Sequence, residues 1–176
     1  KKSVYETYED ASLNQDWTAI LKETCQKASI SFFTSPYSSD LVDFVDQYVP
    51  AYKIGSGDIT WIEIVEYIAA KGKPVLLATG ASDNLDVSRA VDAILSITSD
   101  LVLMQCNTNY TADMKNYHFL NLNVISSYRK MYPRIITGLS DHMPGHVSVL
   151  GAVALGARVI EKHFTDSTDR VGPDHP

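Results

Sequence analysis

The chain of 176 residues has only two cysteines, Cys25 and Cys106, too few for a disulfide framework. Cys106 sits inside an apolar strand pattern, and both are read as reduced thiols of a cytoplasmic protein. Long hydrophobic runs are missing. The longest uncharged, mainly apolar stretch, Val147 to Ala157, is broken by Gly151 and Gly156 and stops at Arg158. It falls well short of the roughly 18 to 20 residues a membrane span needs, so no membrane partner is expected. The opening KKSVYETYED lacks the apolar core of a secretory leader. No block of Lys and Arg relieves the balance of 15 basic against 21 acidic residues, a formal net charge of −6. A phosphate-backbone footprint is therefore absent, and no nucleic-acid partner is expected. No G-x-G-x-x-G follows the first strand-like run, which removes support for a dinucleotide-binding sheet. What is present, 45% hydrophobic and 20% charged residues, reads as a globular domain.

One rhythm organises the chain. Short β-branched, apolar runs at Ile30–Thr34, Ala51–Gly55, Pro74–Thr79, Leu101–Asn107, Ile135–Ser140 and Arg158–Phe164 start about 21 to 34 residues apart, the size of a βα unit. Helical stripes lie between them: Trp17, Ile20, Leu21, Cys25 and Ala28 with Asn14 as N-cap; Trp61, Ile64, Val65 and Ile68, stopped by Gly72 and Pro74; and Leu85, Val87, Val91, Ile94 and Leu95. Val124, Ile125 and Tyr128 mark a helix ended near Pro133, and Val149, Leu150, Val153 and Ala154 mark one with Gly156 as C′ residue. Strand–helix alternation implies an α/β fold with a parallel sheet. Nearly every run ends in polar residues: Thr34-Ser35, Ser56-Gly57-Asp58, Thr79-Gly80, Asn107-Thr108-Asn109, Ser140-Asp141-His142 and His163. A closed (β/α) barrel gathers such ends into one mouth, whereas an open sheet spreads them along a line, so the barrel is the better reading.

Lys53, within AYKIGSG, is expensive to bury in mid-strand without an anionic partner. It reads as a snorkelling lysine, as a point charge for phosphate or carboxylate, or as a Schiff-base nucleophile, and spacing does not choose among these. Ser140 and His142 share one strand face, as do Val159, Glu161 and His163 on the next strand. Two imidazoles at adjacent strand ends, about 4.8 Å apart, can meet at one metal such as Mn²⁺, Fe²⁺, Zn²⁺ or Mg²⁺. Asp141, Glu161 and Asp174 are candidates for further ligands or for partners that orient the rings. His118 reads as solvated, and His146, at the start of the last helix, reads either as touching the mouth or as packing in the helix's first turn. Among the ten tyrosines, Tyr110 of CNTNY is placed in the mouth, while Tyr5, Tyr8, Tyr117, Tyr128 and Tyr132 read as packing residues.

Taken together and in order, VPAYKIGSGD, KPVLLATG, CNTNY, GLSDH, GAVALGARVIEKHFT and GPDH resemble the N-acetylneuraminate (sialic acid) synthase family, including the legionaminic and pseudaminic acid synthases. The resemblance implies a (β/α)₈ TIM barrel that condenses phosphoenolpyruvate with an N-acetylated mannose-type amino sugar. The products are a nine-carbon 2-keto-3-deoxy sugar acid and phosphate, and the cofactor is a divalent metal, Mn²⁺ or Mg²⁺. His142 and His163 match the metal ligands. Lys53, Ser56 and Ser140 match positions that hold the phosphate and carboxylate, Ser35 the hydroxyl position before Pro36, and Thr108 a further polar contact. Tyr110 and Asp174 match residues near the sugar and the attacking water, and Asp174 or Glu161 would assist its deprotonation. The alternatives are a class I aldolase using Lys53 as a Schiff base and a catalytically silent barrel piece serving as a binding module.

This chain departs from the pattern in places. Ala78-Thr79-Gly80 stands where the family commonly has Ser-Thr-Gly, and Thr111 replaces a proline after the tyrosine, which predicts a less rigid loop. The family's first two strands, its last barrel helix and its C-terminal antifreeze-like domain have no counterpart. A closed barrel usually needs about 250 residues. The 176 here supply about six βα units, read as the third to eighth strands of a partial barrel with apolar unpaired edges. Such a piece is expected not to turn over alone, and the full-length protein is expected to be a homodimer.

Overall fold

Apolar strand runs with an amphipathic helix after each dictate a parallel sheet covered by helices on one face. The structure, a computed structural model, describes residues 12–111 and 113–170 together with Ser3, Tyr5, Glu6 and Glu9. Its strands are β1 (Tyr52–Ile54), β2 (Val75–Ala78), β3 (Leu101–Cys106), β4 (Ile136–Asp141) and β5 (Val159–Lys162). The helices are α1 (Trp17–Lys27), α2 (Ser39–Asp46), α3 (Ile62–Ala69), α4 (Asn84–Leu95), α5 (Asn123–Met131) and α6 (Val147–Ala154). Every ladder is parallel, and the strands stand in the sheet in their sequence order. A doubly wound sheet reverses direction at a switch point; this one winds one way throughout, as a barrel does. Outward residues Tyr52, Ile54, Val75, Leu77, Leu101 and Leu103 form one core with Val42, Val65, Ile68, Val91 and Ile94 of the helices.

The inner face shows how strongly the sheet bends. Lys53 pairs with Leu76, Leu76 with Val102 and Val102 with Ile136; continuing the β4–β5 register sets Ala157 opposite Lys53. Yet Lys53 Nζ lies 3.1 Å from Glu161 Oε2. On a flat sheet β1 and β5 would stand about 19 Å apart. In a tilted barrel the level climbs about one residue per strand, hence about four over four strand steps, which carries Ala157 to Glu161. The five strands therefore form a curled, tilted half-barrel. Lys53, Met104 and Glu161 belong to one inward layer drawn from alternate strands.

Five of the six expected strands form. Ile30–Thr34 does not: it makes a single bridge, Thr34 to Tyr52, and one hydrogen bond, Lys53 N–H to Thr34 O. With β1 on one side only and Pro36 just beyond, it has one short ladder to join, and Ile30 and Phe33 remain exposed. Helix α2 carries no apolar stripe singled out from sequence; the Ser38 hydroxyl caps it by accepting from Leu41 N–H. The N-cap of α1 is Asp16 rather than Asn14, whose side chain accepts from Asp16 N–H. The apolar stripe of α1 faces outward, with Trp17 57% and Ile20 62% exposed. In α6 the buried residues are Ser148 and Ala152, while Leu150 and Val153 are exposed. On the inward face Ser148 donates to the buried carboxylate of Asp141. Gly156 follows α6 with φ +100°, as expected of a C′ residue. No helix among the described residues is long and apolar enough to cross a membrane.

Gly138 packs directly against the β5 backbone and Met104. A β-carbon there would stand 2.6 Å from Val159 O and 3.2 Å from Met104 Cγ. Gly138→Ala is expected to lower stability by about 1 to 3 kcal/mol in urea unfolding. Gly57→Ala, facing open space, is expected to change it by less than about 0.5 kcal/mol.

Candidate active site

The C-terminal ends of the strands converge on a cavity of about 230 Å³ lined by Ser35, Tyr37, Lys53, Ser56, Cys106, Tyr110, Ser140, His142, Glu161 and His163, among others. Strand parity explains the gathering: Cys106, Ser140 and Glu161 are successive ladder partners on the inner face of β3, β4 and β5. Lys53 is 9% exposed and meets its charge partner in Glu161. That contact is electrostatic rather than an aligned hydrogen bond, since Glu161 Oε2 receives none. A second carboxylate, Asp58, follows in the turn Ser56–Asp58. Burial pushes it above the usual carboxylate range, while the Lys53 ammonium pulls it back. Ser56 Oγ accepts from Gly80 N–H at 3.0 Å, tying the β1 turn to the end of β2.

His142 and His163 stand with ring centroids 4.9 Å apart, and the Tyr110 ring lies 4.2 Å from His142 and 5.7 Å from His163. His142 Nδ1 is 2.8 Å from Asn107 O, a contact only a protonated Nδ1 can make by donation, so Nε2 keeps its lone pair. This is how a ligating imidazole is commonly oriented. Among the described residues no group of three or more His, Cys, Asp or Glu is placed to share one ion. A cation held by the two imidazoles would have to take its remaining ligands from oxygen donors. Asp174, His175 and the GPDH stretch lie outside the described residues, as does Tyr8.

Several expected positions fall elsewhere. Asp141 is not available to the imidazoles: its carboxylate accepts from Lys162 Nζ at 2.7 Å, Ser148 Oγ at 2.8 Å and Met143 N–H at 3.3 Å. It staples β4 to β5 and to α6. Thr108 does not line the cavity but lies over Gly80, beside Ser56. Thr79 points outward; its hydroxyl accepts from Tyr128 OH and donates to Met104 O, so it does not replace the hydroxyl missing at Ala78. His118 and His146 are exposed and stand away from the cavity. Sequence reasoning took Cys106 only as a strand thiol. It faces the cavity between Ser56 and Ser140, and burial raises it above the usual thiol range. Its inward parity with Met104 was the available signal. Tyr37 and Lys162 also line the cavity without having been singled out.

Burial, more than any neighbour, holds the His142 imidazole below its ordinary range, and His163 adds to this; the Asn107 carbonyl, Glu161 and Asp141 act the other way. The folded protein then binds this proton less readily than the unfolded chain. Stability from His142 is present above the unfolded value, about 6.5, and is lost as pH falls below it. In metal-free buffer, urea midpoints are expected to drop on acidification through this window, and His142→Gln is expected to flatten that drop.

Comparison with known proteins accords with this geometry. The NeuB family profile matches residues 1–176. The chain is 37% identical to an uncharacterized protein, MJ1065, of Methanocaldococcus jannaschii over 99% of its own length and 51% of that protein. It is 34% identical to pseudaminic acid synthase of Campylobacter jejuni, covering 93% of this chain and 47% of the synthase. Among solved structures, the N-acetylneuraminic acid (sialic acid) synthetase of Leptospira borgpetersenii superposes with a TM-score of 0.84 at 30% identity, over 91% of this chain and 55% of that one. The chain thus spans about half the length of these relatives. Matched from end to end by the family profile, and folded like a solved sialic acid synthetase, this chain belongs to the NeuB family.

Proposed function

We propose that this chain is the larger part of a synthase barrel that condenses phosphoenolpyruvate with an N-acetylated mannose-type amino sugar, giving a nine-carbon 2-keto-3-deoxy acid and phosphate. The observation that carries the reading is the single cavity in which one buried lysine, three serine hydroxyls and two adjacent imidazoles face one another. An ammonium already paired with a carboxylate has no lone pair to offer a carbonyl, which favours Lys53 as an anion-holding charge over a Schiff-base nucleophile. Lys53, with the hydroxyls of Ser35, Ser56 and Ser140, holds the phosphate and carboxylate of the enol donor, and Thr108 borders this group. His142 and His163 would hold a divalent cation, Mn²⁺ or Mg²⁺, which supplies Lewis-acid polarisation of the sugar aldehyde when bound. Tyr110 packs beside the imidazoles and bounds the acceptor's space. The donor's C3 forms the new bond to the aldehyde carbon, and water then adds at C2. The carboxylate of Glu161 or of Asp174 takes the water's proton. Phosphate leaves by C–O cleavage.

The remaining strands of the barrel and an antifreeze-like domain belong to the longer protein in this reading, as do its homodimeric assembly and its cytoplasmic setting. Calorimetric titration of the chain with Mn²⁺ is expected to show heat that EDTA abolishes, and titration with phosphoenolpyruvate is expected to show binding. Lys53→Met is expected to weaken it at least tenfold, about 1.4 kcal/mol. Absence of any metal-dependent heat, or a borohydride-trapped pyruvate adduct on Lys53, would overturn the reading.

A further inference from the structure

Tyr110 is half exposed, on a loop, yet its ring lies against both imidazoles. Something must hold it there. The loop that follows β3 contains a closed cycle of side chains. Asn109 Nδ2 donates to Asn116 Oδ1 at 2.7 Å; Asn116 Nδ2 donates to Thr111 Oγ1 at 2.9 Å; Thr111 Oγ1 donates back to Asn109 Oδ1 at 2.8 Å. Each group donates to the next and accepts from the one before, so the three bonds polarise one another in one direction. Asn116, the buried member, is also the anchor. Its backbone oxygen accepts from Asn107 Nδ2, and Asn107 O receives the His142 Nδ1 proton. Tyr117, next in the chain, donates its hydroxyl proton to Pro144 O at 2.7 Å and so ties the loop to the segment just after His142. A proline after Tyr110 would rigidify the loop covalently. Thr111 occupies that position here, and its hydroxyl supplies the link that closes the cycle.

We infer that the Asn109–Asn116–Thr111 cycle is the positioning device that sets Tyr110 against His142 and His163. These are positioning residues: none of the three lines the cavity, and they act through Tyr110 and the Asn107 carbonyl. The inference deepens the proposed function, since it assigns what shapes the wall beside the imidazole pair, but the cycle itself is read without any metal or substrate.

The test is the ring-current shift that Tyr110 imposes on the His142 ring protons, recorded by NMR on metal-free, histidine-labelled chain. Tyr110→Leu defines the shift with the ring removed. Thr111→Val, an exposed site where only the hydroxyl link is lost, is expected to move the His142 resonances more than halfway to the Tyr110→Leu position. Asn116→Ala is expected to do the same, and Thr111→Ser to remain at the wild-type position. A folded Thr111→Val whose unfolding midpoint falls while the His142 resonances stay in place would overturn the inference, because the cycle would then be structural only. Should Asn116→Ala fail to fold, the Thr111 pair decides. Separate Mn²⁺ titration of the wild type, read as broadening of His142 and His163, tests the metal reading alone, so either idea can fail without the other.

Discussion

The ion pair between Lys53 and Glu161 is the constraint around which the site is organised, because it joins the first and last strands of the described sheet. A lysine on the inner face of β1 is tolerable only if an anion reaches it, and on an open sheet none would. The bend of the sheet and the climb of its layers bring Glu161 within 3.1 Å. The same bend brings Ser140, Cys106 and the two imidazoles to one cavity. Loss of one member of a well-buried pair costs about 3 to 5 kcal/mol. Here the Glu161 side chain is 42% exposed, so water screens the contact and the effect is smaller.

Around this pair the inner face changes character along the strands. Leu76, Val102, Ile136 and Val159 are apolar and only partly covered, whereas Cys106, Ser140 and Glu161 nearer the C-terminal ends are polar or polarisable. Polar groups gather at one end of the sheet, where loops follow the strands, and the other end is left to packing. A second charge pair lies at the cavity's edge. Asp141, buried and paired with Lys162 and Ser148, fixes β4 against β5 and orients α6, so the strand that delivers His142 and the strand that delivers His163 are held in register. Tyr110 and the polar cycle beneath it then shape the wall next to those imidazoles.

Much of this was legible before any coordinates. Short β-branched apolar runs located five strands, and the polar residues at their ends located the mouth. Parity alone placed Ser140 with His142 and Glu161 with His163. What failed did so for identifiable reasons. Ile30–Thr34 has strand composition, but a strand also needs a partner ladder, and only β1 is beside it. The α6 stripe pointed the wrong way: Ser148, bonded to Asp141, and Ala152 face inward, while Leu150 and Val153 are exposed. Asp141 looked like a metal ligand by its place beside His142. One residue along a strand reverses the face, however, and that carboxylate turns to Lys162 instead.

By itself the sequence determined the alternation of strands and helices, the polar strand ends and the residue types able to hold an anion and a cation, since these follow from local periodicity and side-chain chemistry. Only the tertiary structure decided which groups meet. Lys53 and Glu161 are separated by more than a hundred residues and come together through curvature and strand tilt, quantities that belong to the whole sheet. The pairing of Glu161 with Lys53 and of Asp141 with Lys162, the direction of the α6 face and the hydrogen-bonded cycle at Asn116 likewise depend on distances between elements. No single stretch of the chain contains them.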